Sequence, residues 1–163
     1  MGKQFWGFLA VGLAVVAAAV GILWTSSKSA HLQLTGSILK VRVLSLSPAA
    51  SLVVADFRVK NPSDVPFVVS DVQLKLDPAS GASKDGEEVA RADMENVFKY
   101  EKLIGPKFND VLTLQDVIPP HQTMDRMAGA RFEVPESVVN ARKGVRLDLQ
   151  DVDGTAAEIA EKP

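Results

Sequence analysis

Between Val53 and Leu76 two alternating runs flank a stiff, proline-bounded connection. Before it, Val53, Ala55, Phe57 and Val59 alternate with Val54, Asp56, Arg58 and Lys60. After it, Val72, Leu74 and Leu76 alternate with Asp71, Gln73, Lys75 and Asp77. A period of two is that of a strand with one buried face and one wet face. The connection is Asn61-Pro62-Ser63-Asp64-Val65-Pro66. Neither proline can donate to a ladder, each biases the residue before it to extended backbone, and Asn and Asp fold back on their own main chain in turns. The chain therefore passes from strand to strand here with its register held. That excludes a helical bundle and a βαβ sheet for this region.

Phe5 to Trp24 is a run of 20 residues without a charge, ten of them Leu, Ile, Val or Phe. As a helix it spans roughly 30 Å, the thickness of a bilayer core. Phe5, Phe8, Leu9, Leu13, Val16, Val20 and Leu23 are expected to face lipid, and Trp6 and Trp24 to sit near the two headgroup levels. The run exceeds the apolar region of a cleaved signal peptide, and Lys28 stands where a small residue is wanted, so a retained anchor is expected. Ala10, Ala14 and Ala18 form a small-residue stripe that is either a plain alanine-rich span with no specific partner or a face for packing against another membrane helix. The positive charges flanking the run are nearly balanced; a short tail 1–4 in the cytoplasm is expected, which puts the body on the periplasmic side of a bacterial-type inner membrane, with the cytoplasmic side as the alternative.

Residues 25–31 read as a polar linker and 32–159 as one domain. All acidic residues follow position 55, so the part after residue 30 carries 16 − 20 = −4. Such a balance argues against nucleic acid, whose affinity comes mainly from Lys and Arg on phosphates. There is no cysteine, hence no disulfide framework, thiolate metal site or lipidated cysteine. Leu32–Leu46 reads as a long strand, broken near Gly36, and residues 47–50 as a turn. Asp77–Glu88 reads as a mobile polar loop, and Asp93 as the N-cap of a two-turn helix carrying Met94, Val97 and Phe98, closed by Gly105-Pro106. Strand character resumes at Asp110–Leu114 and Thr123–Val134, separated by a turn at Pro119-Pro120. A short helix opens at Pro135 and is closed by Gly144; strands follow at Val145–Leu149 and Thr155–Ile159, joined at Asp153-Gly154. About seven strands without a βαβ rhythm predict an all-β, antiparallel sandwich with a short helical insertion over about 78–109. Phe98, Tyr100 and Phe108 make that insertion aromatic; with Leu103 and Ile104 it is expected to cover an open end of the core or to form a partner surface.

The strand at Val53–Lys60, Asn61-Pro62, Pro66 and the alternating strand Val68–Leu76 resemble the water-stress and hypersensitive-response (WHy) domain of type-two late embryogenesis abundant proteins. The later run of Ile118-Pro119-Pro120, a strand to Phe132-Glu133-Val134-Pro135, a short helix and a closing strand is similar to that family as well. The resemblance covers roughly 32–77 and 110–159. It implies an immunoglobulin-like or fibronectin-III-like sandwich without catalytic residues, associated with dehydration stress and often with membranes. The chain departs from the family between Asp77 and Asn109, where the family has a shorter hairpin connection, and such an insertion is how one fold is recruited to another task.

No chemistry-bearing constellation is present in the sequence. His31 and His121 lack helix-spaced ligand partners, and Asp148, Asp151 and Asp153 lack the remaining oxygens of a calcium loop. Lys84-Asp85-Gly86-Glu87-Glu88 reads as solvated. No nucleophile elbow, phosphate loop or zinc-protease motif occurs. The expectation is a non-enzymatic chain with no cofactor, metal or small-molecule substrate. Its partners are the bilayer through 5–24 and other membrane-protein subunits, for example of an energy-converting complex. Stress protection of membranes or client proteins is the alternative.

Overall fold

The computed structural model describes residues 34–161; the anchor, helix-packing stripe and linker expected over 5–31 lie outside them. Two sheets of mostly antiparallel strands face each other as a sandwich, with few helices. The first sheet holds β1 (Thr35–Ser47), β2 (Ala50–Lys60) and β8 (Thr123–Phe132) in that order, with the two-residue strands β5 (Glu87–Glu88) and β6 (Asp110–Val111) both on β8. The second runs β10 (Ala156–Ala160), β9 (Gly144–Asp151), β3 (Phe67–Asp77), β4 (Lys84–Asp85), with β7 (Val117–Ile118) on β3.

The alternation does what a period of two requires. Val53, Ala55, Phe57 and Val59 of β2 meet Val72, Leu74 and Leu76 of β3, Ala128, Ala130 and Phe132 of β8, and Val145, Leu147 and Leu149 of β9 in one core. The first strand is continuous through Gly36, whose α-carbon leaves no room for a side chain: a Cβ there would lie 2.3 Å from the Arg58 carbonyl oxygen. The irregularity falls later, as a bulge between Ile38 and Lys40 that turns Leu39 out.

Asn61 is fully buried at the head of the proline-bounded connection. Its side-chain amide donates to the carbonyls of Val65 (2.8 Å) and Ile118 (3.0 Å), and its side-chain oxygen accepts from the Ser63 N–H and hydroxyl. Two connections, 61–66 and 112–122, are stitched at one residue. Asn61→Ala is expected to cost about 1–3 kcal/mol, because it takes a donor from the buried Ile118 carbonyl and one of the two donors from that of Val65. Asn61→Asp is expected to be no better, since a carboxylate cannot donate to them. A thermal melt of the full chain in detergent checks both; an unchanged midpoint would refute the assignment.

Several expectations need correction. Residues 84–88 are ordered: β4 pairs with β3 and β5 with β8, and Gly86 crosses from sheet to sheet, its N–H on the Leu74 carbonyl. The helix α1 spans Arg91–Tyr100 with Ala90 at the N-cap; Asp93 lies in its first turn, where a carboxylate still complements the helix dipole. The sandwich is not wholly antiparallel, because β6 runs parallel to β8. The short helix α2 (Glu136–Asn140) has Pro135 at its N-cap and ends at Ala141, and Gly144 opens β9 instead of closing the helix.

Candidate interaction surface

The outer face of the first sheet is the place where the insertion acts. Leu52, Val54 and Asp56 of β2 point away from the sandwich core, as expected, yet they are buried. Residues 89–109 lie over them. Met94 of α1 and Ile104, in a 3₁₀ turn over Lys102–Ile104, join Leu44, Leu52, Val54, Val111 and Met127 in a second apolar cluster, against which Val97 and Phe98 pack. Gly129 of β8 makes this possible, since a Cβ there would lie 2.4 Å from the Met94 sulfur. The insertion thus covers a sheet face, not an open end of the core. The seat is hydrogen-bonded at both margins: the Val89 N–H donates to the Gly129 carbonyl (2.9 Å) and the Leu112 N–H to that of Met127 (2.8 Å).

At the centre of the seat is a charge. Arg42 of β1 donates to Asp56 at 2.7 Å, with both side chains buried. Its other terminal nitrogen reaches the carbonyls of Ile104 (3.3 Å) and Pro106 (2.9 Å), on the insertion. Asn109 donates to the second oxygen of Asp56 at 2.9 Å. The guanidinium lies 4.9 Å from the ring centre of Phe98 and 5.4 Å from that of Phe108, within cation–π range of both. Arg42 therefore joins the first sheet, the 3₁₀ turn and two aromatic rings through one planar, multi-donor group, a task lysine cannot perform.

Around this seat the expected partner residues divide. Ile104 is 3% exposed and belongs to the second cluster, so it presents nothing to a partner. Phe98 is half-buried in the same cluster. Tyr100, Leu103 and Phe108 remain exposed, Leu103 at 89%. Leu46, at an irregularity near the end of β1, is exposed as well. Alternation alone puts Arg42 and Asp56 on the outward side of their strands; it carries no signal that a segment about fifty residues further on covers them.

A cleft of about 370 Å³ flanks the insertion, lined by Arg91, Glu95, Lys107, Asp110, Asp116 and Arg126 among others. Its charges are largely cross-linked. Arg91 bonds Asp116 at 2.9 Å, and Lys107 bonds Glu95 at 2.5 Å and Asp110 at 3.1 Å. Among the described residues no group of three or more His, Cys, Asp or Glu is placed to hold a metal ion. His121 lies in its exposed turn 2.8 Å from Asp64, and Asp151 is buried, accepting the Val68 and Val152 N–H groups.

Surface ion pairs set the acid behaviour. Arg146, then the Ser83 hydroxyl, hold the Asp77 carboxyl below its ordinary 3.8; Lys107 does so for Asp110, and Arg58 for Asp125. The folded chain then binds fewer protons than the unfolded one near those pKa values, and stability falls as pH drops through them. Glu88 acts oppositely: desolvation, then the Asp71 charge, raise it, although the residue keeps solvent contact. Three depressed carboxyls outweigh one raised. The urea midpoint is expected to be lower at pH 3 than at pH 6, and the difference to shrink at high salt; an equal or higher midpoint at pH 3 would contradict this.

No family model matches this chain, and no curated protein does. A similar solved structure is an uncharacterized beta-sandwich protein from Clostridium difficile 630, 13% identical, over 80% of this chain and 86% of that one, with a TM-score of 0.40.

Proposed function

We propose that the chain is a non-enzymatic, single-pass membrane-anchored interaction subunit. An immunoglobulin-like or fibronectin-III-like body, tethered by residues 5–24, docks through Tyr100, Leu103 and Phe108 onto another membrane protein. The reading of the body is supported by strand order. Lettered along the chain, β1-β2-β8-β5 is A-B-E-D and β10-β9-β3-β4 is G-F-C with an added strand, the arrangement of immunoglobulin-like sandwiches. The reading of the surface rests on one observation. The insertion is pinned by hydrogen bonds to both members of a buried ion pair and by two backbone bonds at its margins, yet it holds large apolar side chains in water. A segment made only to roof Leu52 and Val54 has no need of Leu103 outside.

The test is purification of the full chain from its own membranes in mild detergent, followed by native mass spectrometry. A complex with a membrane-protein subunit is expected, lost in a Tyr100→Ser/Leu103→Asp variant whose melting temperature is unchanged. Recovery of the unaltered protein only as a lone monomer would overturn the reading. Stress protection is the second reading, favoured by the Asn61-Pro62 connection, which joins two strands as the WHy resemblance implies. It would be sunk by a deletion strain that survives drying as well as its parent.

A further inference from the structure

We propose that the end of the sandwich at which the chain enters rests on the lipid surface through a small aliphatic patch. This builds on the anchor reading above. The body begins with Leu34, already buried, and Thr35 pairs with Lys60, next to Asn61. That end carries the connections 61–66, 112–122 and 152–155. Four of their contacts assemble the patch. Val68 pairs with Val117 in the β3–β7 ladder. The Val152 N–H donates to the Val68 carbonyl at 3.0 Å. The Val69 N–H reaches the Asp116 carbonyl, and the Gln115 N–H reaches that of Val69. Leu114 (51% exposed), Val117 (47%) and Val152 (60%) are thereby set around half-buried Val68, with Val65 (49%) on the neighbouring connection.

These four exposed side chains belong to neither apolar cluster. At the opposite end, which carries the connections 48–49, 78–83 and 141–143, a single large apolar residue is exposed among the described residues, Leu46 beside the first of them. The asymmetry follows the tether. Residues 25–33 separate the apolar run from Leu34, nine residues that reach at most roughly 30 Å fully extended, and they join the body at the patch-bearing end. Charge decides the kind of surface. Beside the patch, Asp64 bonds His121 and Asp116 bonds Arg91, while Lys60 and Asp153 are of opposite sign. No basic excess calls for anionic lipid, so the contact is apolar and suits a zwitterionic headgroup layer. A few valines bind lipid weakly by themselves, but a tethered patch meets the surface at an effective concentration of about millimolar.

The chain has no cysteine, so single-cysteine variants carry one spin label without background. The full chain is labelled at Val117→Cys, Val152→Cys, Ala82→Cys at the opposite end, or Ala14→Cys in the apolar run, and reconstituted in phosphatidylcholine vesicles. The ratio of collisions with oxygen to collisions with a water-soluble nickel chelate is read at each site. Positions 117 and 152 are expected to give a ratio several-fold above position 82, unchanged by added salt. If position 14 is lipid-exposed while 117 and 152 match 82, the patch proposal is overturned and the anchor stands. If position 14 also matches 82, both fall. Shielding of 117 and 152 from oxygen and nickel alike would indicate protein contact, such as a second copy, and would overturn it too.

Discussion

Arg42→Ala is expected to release the insertion while the sandwich stays folded. Removing one member of a buried ion pair costs about 3–5 kcal/mol, because the remaining charge is left without a partner or water. Here Asp56 would keep only the Asn109 amide, and the carbonyls of Ile104 and Pro106 would lose their donor. The chain has a cheaper outcome than holding that charge dry. Residues 89–109 undock and water reaches Asp56, so the loss is capped at the free energy of undocking. Hydrogen exchange on the full chain in lipid nanodiscs separates the two outcomes. Amides of α1 and of the 3₁₀ turn should exchange far faster than in the parent, and those of β3 and β9 at the parental rate. Arg42→Met with Asp56→Leu should recover much of the docking, since an apolar pair of similar volume suits the second cluster. Unchanged exchange over 91–109 in the alanine variant would show that the pair does not hold the insertion.

Phe57→Ala is expected to act on the whole body. Phe57 is fully buried at the middle of β2, between β1 and β8 and facing the second sheet. Its loss should cost about 3–5 kcal/mol, the transfer term plus a cavity that close-packed neighbours only partly fill. Set against the 5–15 kcal/mol typical of a domain, that is a large fraction. The urea midpoint should fall with little change in slope, and exchange should accelerate in β3 and β9 as well as in the insertion. A loss below about 1 kcal/mol, smaller than any typical large-to-small core substitution, would mean that the two sheets do not meet at this residue.

The contrast between these two positions explains what the sequence could and could not say. Val53, Ala55, Phe57 and Val59 carry their burial in their own spacing, because a strand's inner face is decided two residues at a time. Val54 and Asp56 occupy the complementary phase and read as wet. Their burial depends on Met94 and Ile104, whose docking site no local pattern encodes. Residues 84–88 were hidden for a different reason. They pair through backbone groups while the side chains of Lys84, Asp85, Glu87 and Glu88 stay in solvent, so hydropathy gives no strand signal. Leu103 and Ile104 are adjacent and chemically alike; only the 3₁₀ turn decides that one is outside and the other inside. The turn at Asn61 was legible because that part of its role is local, an Asx side chain folding back on its own main chain beside a proline; its bond to Ile118, 57 residues on, had no local signal.

The seat of the insertion also imposes an order on chain synthesis. β1 and β2 are joined by a two-residue turn and can zip together as soon as both have left the ribosome. Residues 89–109 follow soon after, but the bonds at their margins go to Gly129 and Met127, and Met94 nests against Gly129. None of those partners exists until the strand at 123–132 has been made. For that interval Leu44, Leu52 and Val54 are a bare greasy hairpin, the kind of surface on which nascent chains stick to one another. Arg42 and Asp56 are the charged pair on that same face, and a charge left bare is the one part of such a hairpin that favours water over another chain.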